Sequence, residues 1–141
     1  MQTKASPPIP MLPSRKRILL AEDDADLRFL LAAALAMDGH QITQAADGTE
    51  VLEQLAATLG EPYPVAGFDL IISDVRMPGW SGLDVLAGLK QYPVVPPVVL
   101  ITAFGGERLH AAARRLGAVA TLDKPFDLYQ LRAIVDATLR A

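Results

Sequence analysis

Leu70-Ile71-Ile72-Ser73-Asp74 decides the fold. The run is short and apolar, and it stops on a carboxylate before Val75-Arg76-Met77-Pro78-Gly79. An apolar run of this length, bounded by turn residues, reads as a buried parallel strand. Pro78 and Gly79 then open a loop. Asp74 falls where the strand's carboxyl end meets that loop, which is where open α/β sheets hold their ligands. Packing explains such an acid poorly, because aspartate is rarely buried unless it is paired or bound to a metal. Two other apolar runs end the same way. Ile18-Leu19-Leu20-Ala21 delivers Glu22-Asp23-Asp24, and Val98-Val99-Leu100-Ile101 delivers Thr102-Ala103.

Between these runs the apolar period changes from strand to helix. Leu27, Leu30, Leu31, Ala34 and Leu35 follow the i, i+3, i+4, i+7, i+8 spacing of an amphipathic helix that Asp24 caps and Gly39 ends. Residues 41–45 form a weak second strand, and Leu52, Leu55, Ala56 and Leu59 mark a second helix. Residues 60–67, with Pro62 and Pro64, are a connecting loop. Ser81-Gly82-Leu83-Asp84 is a capping box opening a third helix that buries Leu83, Leu86 and Leu89. Leu109, Ala112, Ala113 and Leu116 mark a fourth helix, ending at Gly117. Residues 119–122 make a fifth strand. Asp127 and Gln130 box the start of a last helix that carries Leu128, Leu131, Val135 and Leu139. Five β-α units with right-handed crossovers give a doubly wound α/β domain, a parallel five-stranded sheet with helices on both faces. All its βα loops emerge at one rim, so Glu22, Asp23, Asp74, Thr102 and Lys124 converge.

Composition narrows the function. The 141 residues suit one domain. A net charge of −3 gives no footprint for direct nucleic-acid binding. The absence of cysteine excludes disulfides, thiolate metal sites and a thiol nucleophile. No apolar run reaches the length needed for membrane insertion, and no secretory h-region opens the chain, so a cytoplasmic protein is expected. Residues 1–15, with Pro7, Pro8, Pro10 and Pro13, read as a flexible Pro-rich extension ahead of a domain over 16–141. Arg15-Lys16-Arg17 reads as a solvated strand entrance.

Three carboxylates in one crevice repel one another unless a cation neutralises them. With oxygen ligands alone, a hard divalent ion is the natural occupant, Mg²⁺ before Mn²⁺. Lys124, before Pro125 at the end of the fifth strand, supplies a compact cation for Asp74 or for a phosphoryl oxygen. Thr102 offers a hydroxyl, and Ala103 leaves room beside it. Singly these are a helix cap, a surface turn and a satisfied backbone group. Jointly, at the ends of strands one, three, four and five, they describe a phosphoryl site around a carboxylate nucleophile.

Glu22-Asp23, Asp74 with Met77-Pro78-Gly79, Thr102-Ala103 and Lys124-Pro125-Phe126 together resemble the receiver domain of two-component response regulators, over residues 16–141. The resemblance implies a flavodoxin-like (βα)5 fold with strand order 2-1-3-4-5. It implies that Asp74 is the phosphoacceptor for a sensor histidine kinase or a histidine phosphotransfer protein. Asp23, Asp74 and the Arg76 carbonyl would bind Mg²⁺, with Glu22 in an outer position where the family more often has aspartate. Thr102 and Lys124 would bind phosphoryl oxygens, and Lys124-Pro125 would be cis. The protein would be a signalling domain rather than an enzyme, passing its state to a downstream protein by contact. Thr121 departs from the pattern, since the family usually places an aromatic or histidine there. A threonine cannot fill an aromatic's inward pocket, so the switch is expected to run through Thr102, Phe104, Lys124 and Pro125 instead.

With no output domain expected after the last helix, a stand-alone receiver is the first reading. A receiver cut from a hybrid kinase or larger regulator is the second. An aspartyl-phosphate hydrolase of haloacid-dehalogenase type would need an acid where Arg76 stands. A nucleotide or flavin binder would be repelled by Glu22-Asp23-Asp24. A histidine phosphotransfer protein has another architecture, with His40 and His110 read here as a strand-edge residue and an exposed helix residue.

Overall fold

Alternation within each strand sends successive side chains to opposite faces of a sheet, and this builds two cores at once. The computed structural model describes residues 16–59, 67–92 and 94–140. Within them lie β1 (Arg17–Ala21), α1 (Ala25–Met37), β2 (Gln41–Ala45), α2 (Gly48–Leu59) and β3 (Leu70–Asp74). There follow α3 (Gly82–Leu89), β4 (Val98–Thr102), α4 (Glu107–Arg115), β5 (Ala120–Asp123) and α5 (Leu128–Arg140). All five strands are parallel, in the order β2-β1-β3-β4-β5. On one face Leu19, Ala21, Ile71 and Leu100 pack with Val51 and Leu55 of α2, Val85, Leu86 and Leu89 of α3, and Ala113 of α4. On the other, Ile18, Leu20, Leu70, Ile72, Val99 and Ile101 pack with Leu31 and Leu35 of α1 and Leu131 and Val135 of α5. β3 and β4 are buried along their whole length, as a central parallel strand requires.

Local chemistry sets the element ends. Asp24 accepts from Leu27 N–H at 3.2 Å, and Gly39 takes the left-handed conformation, φ +96°, that releases the chain after α1. Ser81 and Asp84 exchange reciprocal bonds at 3.1 and 3.0 Å, as do Asp127 and Gln130 at 2.8 and 3.1 Å. Gly82 must be glycine for another reason. A Cβ there would lie 2.6 Å from the Asp74 carbonyl oxygen, so α3 begins against the backbone of the strand end that carries the acid.

Three sequence expectations change. Leu30 is 53% exposed beside the exposed Phe29, because it sits on the flank of the stripe through which Leu31, Ala32 and Leu35 meet the sheet. On α2 Ala56 is exposed and Val51 is buried, so the inward face is turned from the one the leucines marked. β5 runs one residue later than expected and ends on Asp123, at the threshold of Lys124. The expected Pro-rich extension, and residues 60–66 of the expected connecting loop, lie outside the described residues.

One surface pair joins the ends of the chain's helical layer. Arg132 of α5 donates to both oxygens of Asp38 at the end of α1, at 2.8 and 2.6 Å. These bonds hold the Asp38 carboxyl below its ordinary 3.8. A depressed carboxyl contributes stability above the unfolded value and loses it as the pH falls through the folded one. Arg132→Ala should therefore lower Tm slightly at pH 7, and in thermal melts the gap from wild type should narrow as the pH falls below about 3.8. A gap of the same size at pH 7 and pH 3 would show that packing, not charge, links the two helices.

Candidate functional site

Strand register assembles the site. Ala21 lies opposite Ser73, so Glu22 comes level with Asp74. Asp74 lies opposite Ile101, which puts Thr102 one step further along β4. Thr102 lies opposite Asp123, and Lys124 follows. The crevice stands between β1 and β3, where the chain first winds to β2 and then returns to the other side, the switch point of the sheet.

Lys124 is the hub. Its Nζ donates to Asp74 Oδ2 at 2.9 Å and lies 2.8 Å from Glu22 Oε1. Asp74 is buried, and its Oδ1 accepts from Arg76 N–H at 3.1 Å. Glu22 is wholly buried; its Oε2 accepts from Asp24 N–H at 3.1 Å, while Oε1, off line for a hydrogen bond from Lys124, has no hydrogen-bond partner. Asp23 is exposed, yet a carboxylate oxygen from each of Glu22, Asp23 and Asp74 falls within 4.8 Å of the others. Thr102 is buried one strand over, and its Oγ1 accepts from Phe104 N–H at 3.1 Å. The Lys124-Pro125 peptide is cis, as expected.

Burial pushes the Glu22 carboxyl up to about 7, with Asp23 and Asp74 adding to the rise and Lys124 and the Asp24 N–H opposing it. Burial works against the Lys124 ammonium too, but its ion pairs with Glu22 and Asp74 outweigh that and hold it above its ordinary 10.5. Three carboxylates against one ammonium leave two negative charges over once Glu22 is ionised, above about pH 7. An all-oxygen cluster with that excess, and with a buried carboxylate oxygen lacking a hydrogen bond, fits a hard divalent cation.

The family model for the response regulator receiver domain matches residues 18–136. This chain belongs to that family. It is 34% identical over 122 residues to the DNA-binding transcriptional regulator NtrC of Escherichia coli (strain K12), covering 86% of this chain and 24% of that protein. It is 38% identical over 117 residues to the transcriptional regulatory protein PdtaR of Mycobacterium tuberculosis (strain ATCC 25618 / H37Rv), covering 82% of this chain and 53% of the relative. Among solved structures, the non-phosphorylated HemR receiver domain from Leptospira biflexa superposes with a TM-score of 0.78 at 26% identity, covering 90% of this chain and 96% of that one. The chain thus spans about a quarter to a half of the length of these curated relatives. It is a receiver domain of response regulators, a signalling module with the expected flavodoxin-like topology.

Around this site the structure adds placements and contacts that the sequence did not specify. Phe104 is 65% exposed, and the Arg76 guanidinium lies over its ring, 4.6 Å from the centroid. Thr121 is half-buried opposite Leu100 on β5. His110 is not a plain exposed helix residue, since its Nε2 lies 2.9 Å from Asp123 Oδ1. Arg28, which the sequence left unmarked, donates to the Glu22 carbonyl at 2.7 Å and to Gln44 at 3.2 Å. A lone arginine on a helix carries no signal for such a role; only the register of β1 against β2 brings its partners together. Trp80 is part-exposed, and its backbone presses so closely on Gly48 that a Cβ at 48 would overlap it.

The charge excess has a measurable consequence. Glu22→Gln removes the most buried carboxylate, so in metal-free buffer at pH 8 its Tm should exceed that of wild type by roughly 3 °C or more. Added Mg²⁺ should raise the Tm of wild type more than that of the variant. A metal-free Glu22→Gln protein that melts below wild type would show that Lys124 needs Glu22 more than the crevice needs relief.

Proposed function

We propose that Asp74 is the phosphoacceptor of this receiver, taking a phosphoryl group from the phosphohistidine of a sensor histidine kinase or a histidine phosphotransfer protein. The observation that carries the reading is the Lys124 ammonium set between Asp74 Oδ2 and Glu22 Oε1 at the sheet's switch point. An Asp74 oxygen attacks phosphorus, the P–N bond to the donor breaks, and the imidazole keeps the electron pair and takes up a proton. The product is an acyl phosphate, which water later hydrolyses to return the carboxylate. Lys124 offsets charge on the phosphoryl oxygens, and the Thr102 hydroxyl donates to one of them. Glu22, Asp23, Asp74 and the Arg76 carbonyl would hold Mg²⁺, whose charge when bound offsets the repulsion between the crevice and an incoming phosphate.

The added charge, about −2 at neutral pH, draws the Thr102 hydroxyl away from Phe104 N–H. Residues 103–106 then rearrange, with Gly105 and Gly106 supplying the freedom. Because Thr121 offers no ring to swing, Phe104 and its contact with Arg76 report the change at the surface. The output is contact with a downstream protein, in the cytoplasm, without direct binding to nucleic acid or insertion into a membrane. No helix among the described residues is long and apolar enough to cross one. A second reading, a receiver module belonging to a larger regulator, is favoured by the quarter-length match to NtrC.

Intact-mass spectrometry with a small phosphodonor tests the assignment. Wild type should gain one phosphoryl group with Mg²⁺ and none with EDTA, and Asp74→Asn should gain none in either. Equal labelling of wild type and Asp74→Asn would remove Asp74 from the reaction.

A further inference from the structure

Beyond the acidic crevice, one side-chain pair ties three elements together. His110, in the first turn of α4, sets Nε2 2.9 Å from Oδ1 of Asp123. Asp123 ends β5, lies opposite Thr102 in register, and immediately precedes Lys124. The backbone at Gly105 lies over this pair. A Cβ at 105 would overlap Asp123 Oδ1 and come 3.1 Å from His110 Nε2, so the loop approaches this closely only without a side chain there. At its other end the same loop is held by Phe104 N–H donating to Thr102 Oγ1.

Building on the phosphoacceptor reading, we infer that the His110–Asp123 pair is a latch that holds the 103–106 loop and the start of α4 against β5, and so opposes the phosphoryl-bound arrangement. His110 is a positioning residue here, acting through Asp123 and the loop. When the Thr102 hydroxyl turns to a phosphoryl oxygen, Phe104 N–H loses its acceptor and the loop must move. A loop seated on His110 and Asp123 cannot shift far without parting them. The two side chains are 33% and 55% exposed, so water re-solvates them readily and the latch biases the equilibrium rather than locking it. Linkage then fixes the sign. Weakening the latch makes the phosphoryl-bound arrangement easier to reach, and a phosphoryl mimic binds more tightly.

The test is titration of the full chain with beryllofluoride in the presence of Mg²⁺, read by calorimetry, together with amide exchange over α4. His110→Ala and Asp123→Ala should each bind the mimic about two- to fivefold more tightly than wild type, the range an exposed pair allows. The double variant should gain no more than either single one, because both remove the same contact. Gly105→Ala, which displaces Asp123 from the other side, should show the same gain. Exchange over residues 107–115 in unliganded His110→Ala should move toward that of mimic-bound wild type. Wild-type affinity in His110→Ala, or gains that add in the double variant, would overturn the latch while leaving the phosphoacceptor reading intact. Failure of wild type to bind the mimic would overturn both.

Discussion

The structure depends on one ammonium shared between two buried carboxylates. Lys124 reaches Asp74 and Glu22 from the far end of the sheet, across the ends of β5, β4 and β3. Its charge opposes the burial that pushes the Glu22 carboxyl up. Removing the ammonium from such a buried set typically costs about 3–5 kcal/mol, because uncompensated carboxylates are left behind. The arrangement is therefore weak evidence for stability and stronger evidence for chemistry. A chain that keeps three acids around one lysine has retained a charge excess that an apolar rim would not carry.

That excess also explains the division of labour in the fold. The two hydrophobic cores are built mostly from aliphatic side chains, so the sheet holds the strand ends rigidly. Rigid strand ends place the reacting groups, while the parts that must move are loops with few apolar contacts. Thr102 is fixed in β4, yet the residues after it are exposed and include two consecutive glycines. The contacts at this exposed edge are of the weak kind, a guanidinium over a ring and a part-exposed imidazole–carboxylate pair. On the proposed function, buried pairs hold the reactive geometry, and exposed pairs exchange partners when the charge at Asp74 changes.

Much of this was legible from residues 18–24, 70–79, 98–103 and 120–126 alone. Apolar strands that end on acids have few explanations, and β-α alternation leaves one rim on which they can meet. The caps at Asp24, Ser81 and Asp127 were legible too, because their hydrogen bonds are local. What the sequence hid depends on long-range placement. The exposure of Leu30 and the turned face of α2 follow from how each helix lies on the sheet, which periodicity does not specify. Arg76 on Phe104 and His110 on Asp123 join segments separated along the chain, and Arg28 reaches Glu22 and Gln44 together only because β2 lies beside β1. Each of these residues, read alone, belongs to a solvated surface.

The central claim is that the charge excess exists to make one carboxylate, Asp74, accept a phosphoryl group. Borohydride reduction of the phosphorylated protein converts an aspartyl phosphate to homoserine, and peptide mass spectrometry then locates the converted residue. The account predicts homoserine at position 74 with Glu22 and Asp23 unchanged. Conversion at Asp23, or a label that survives borohydride because it sits on a histidine, would contradict it.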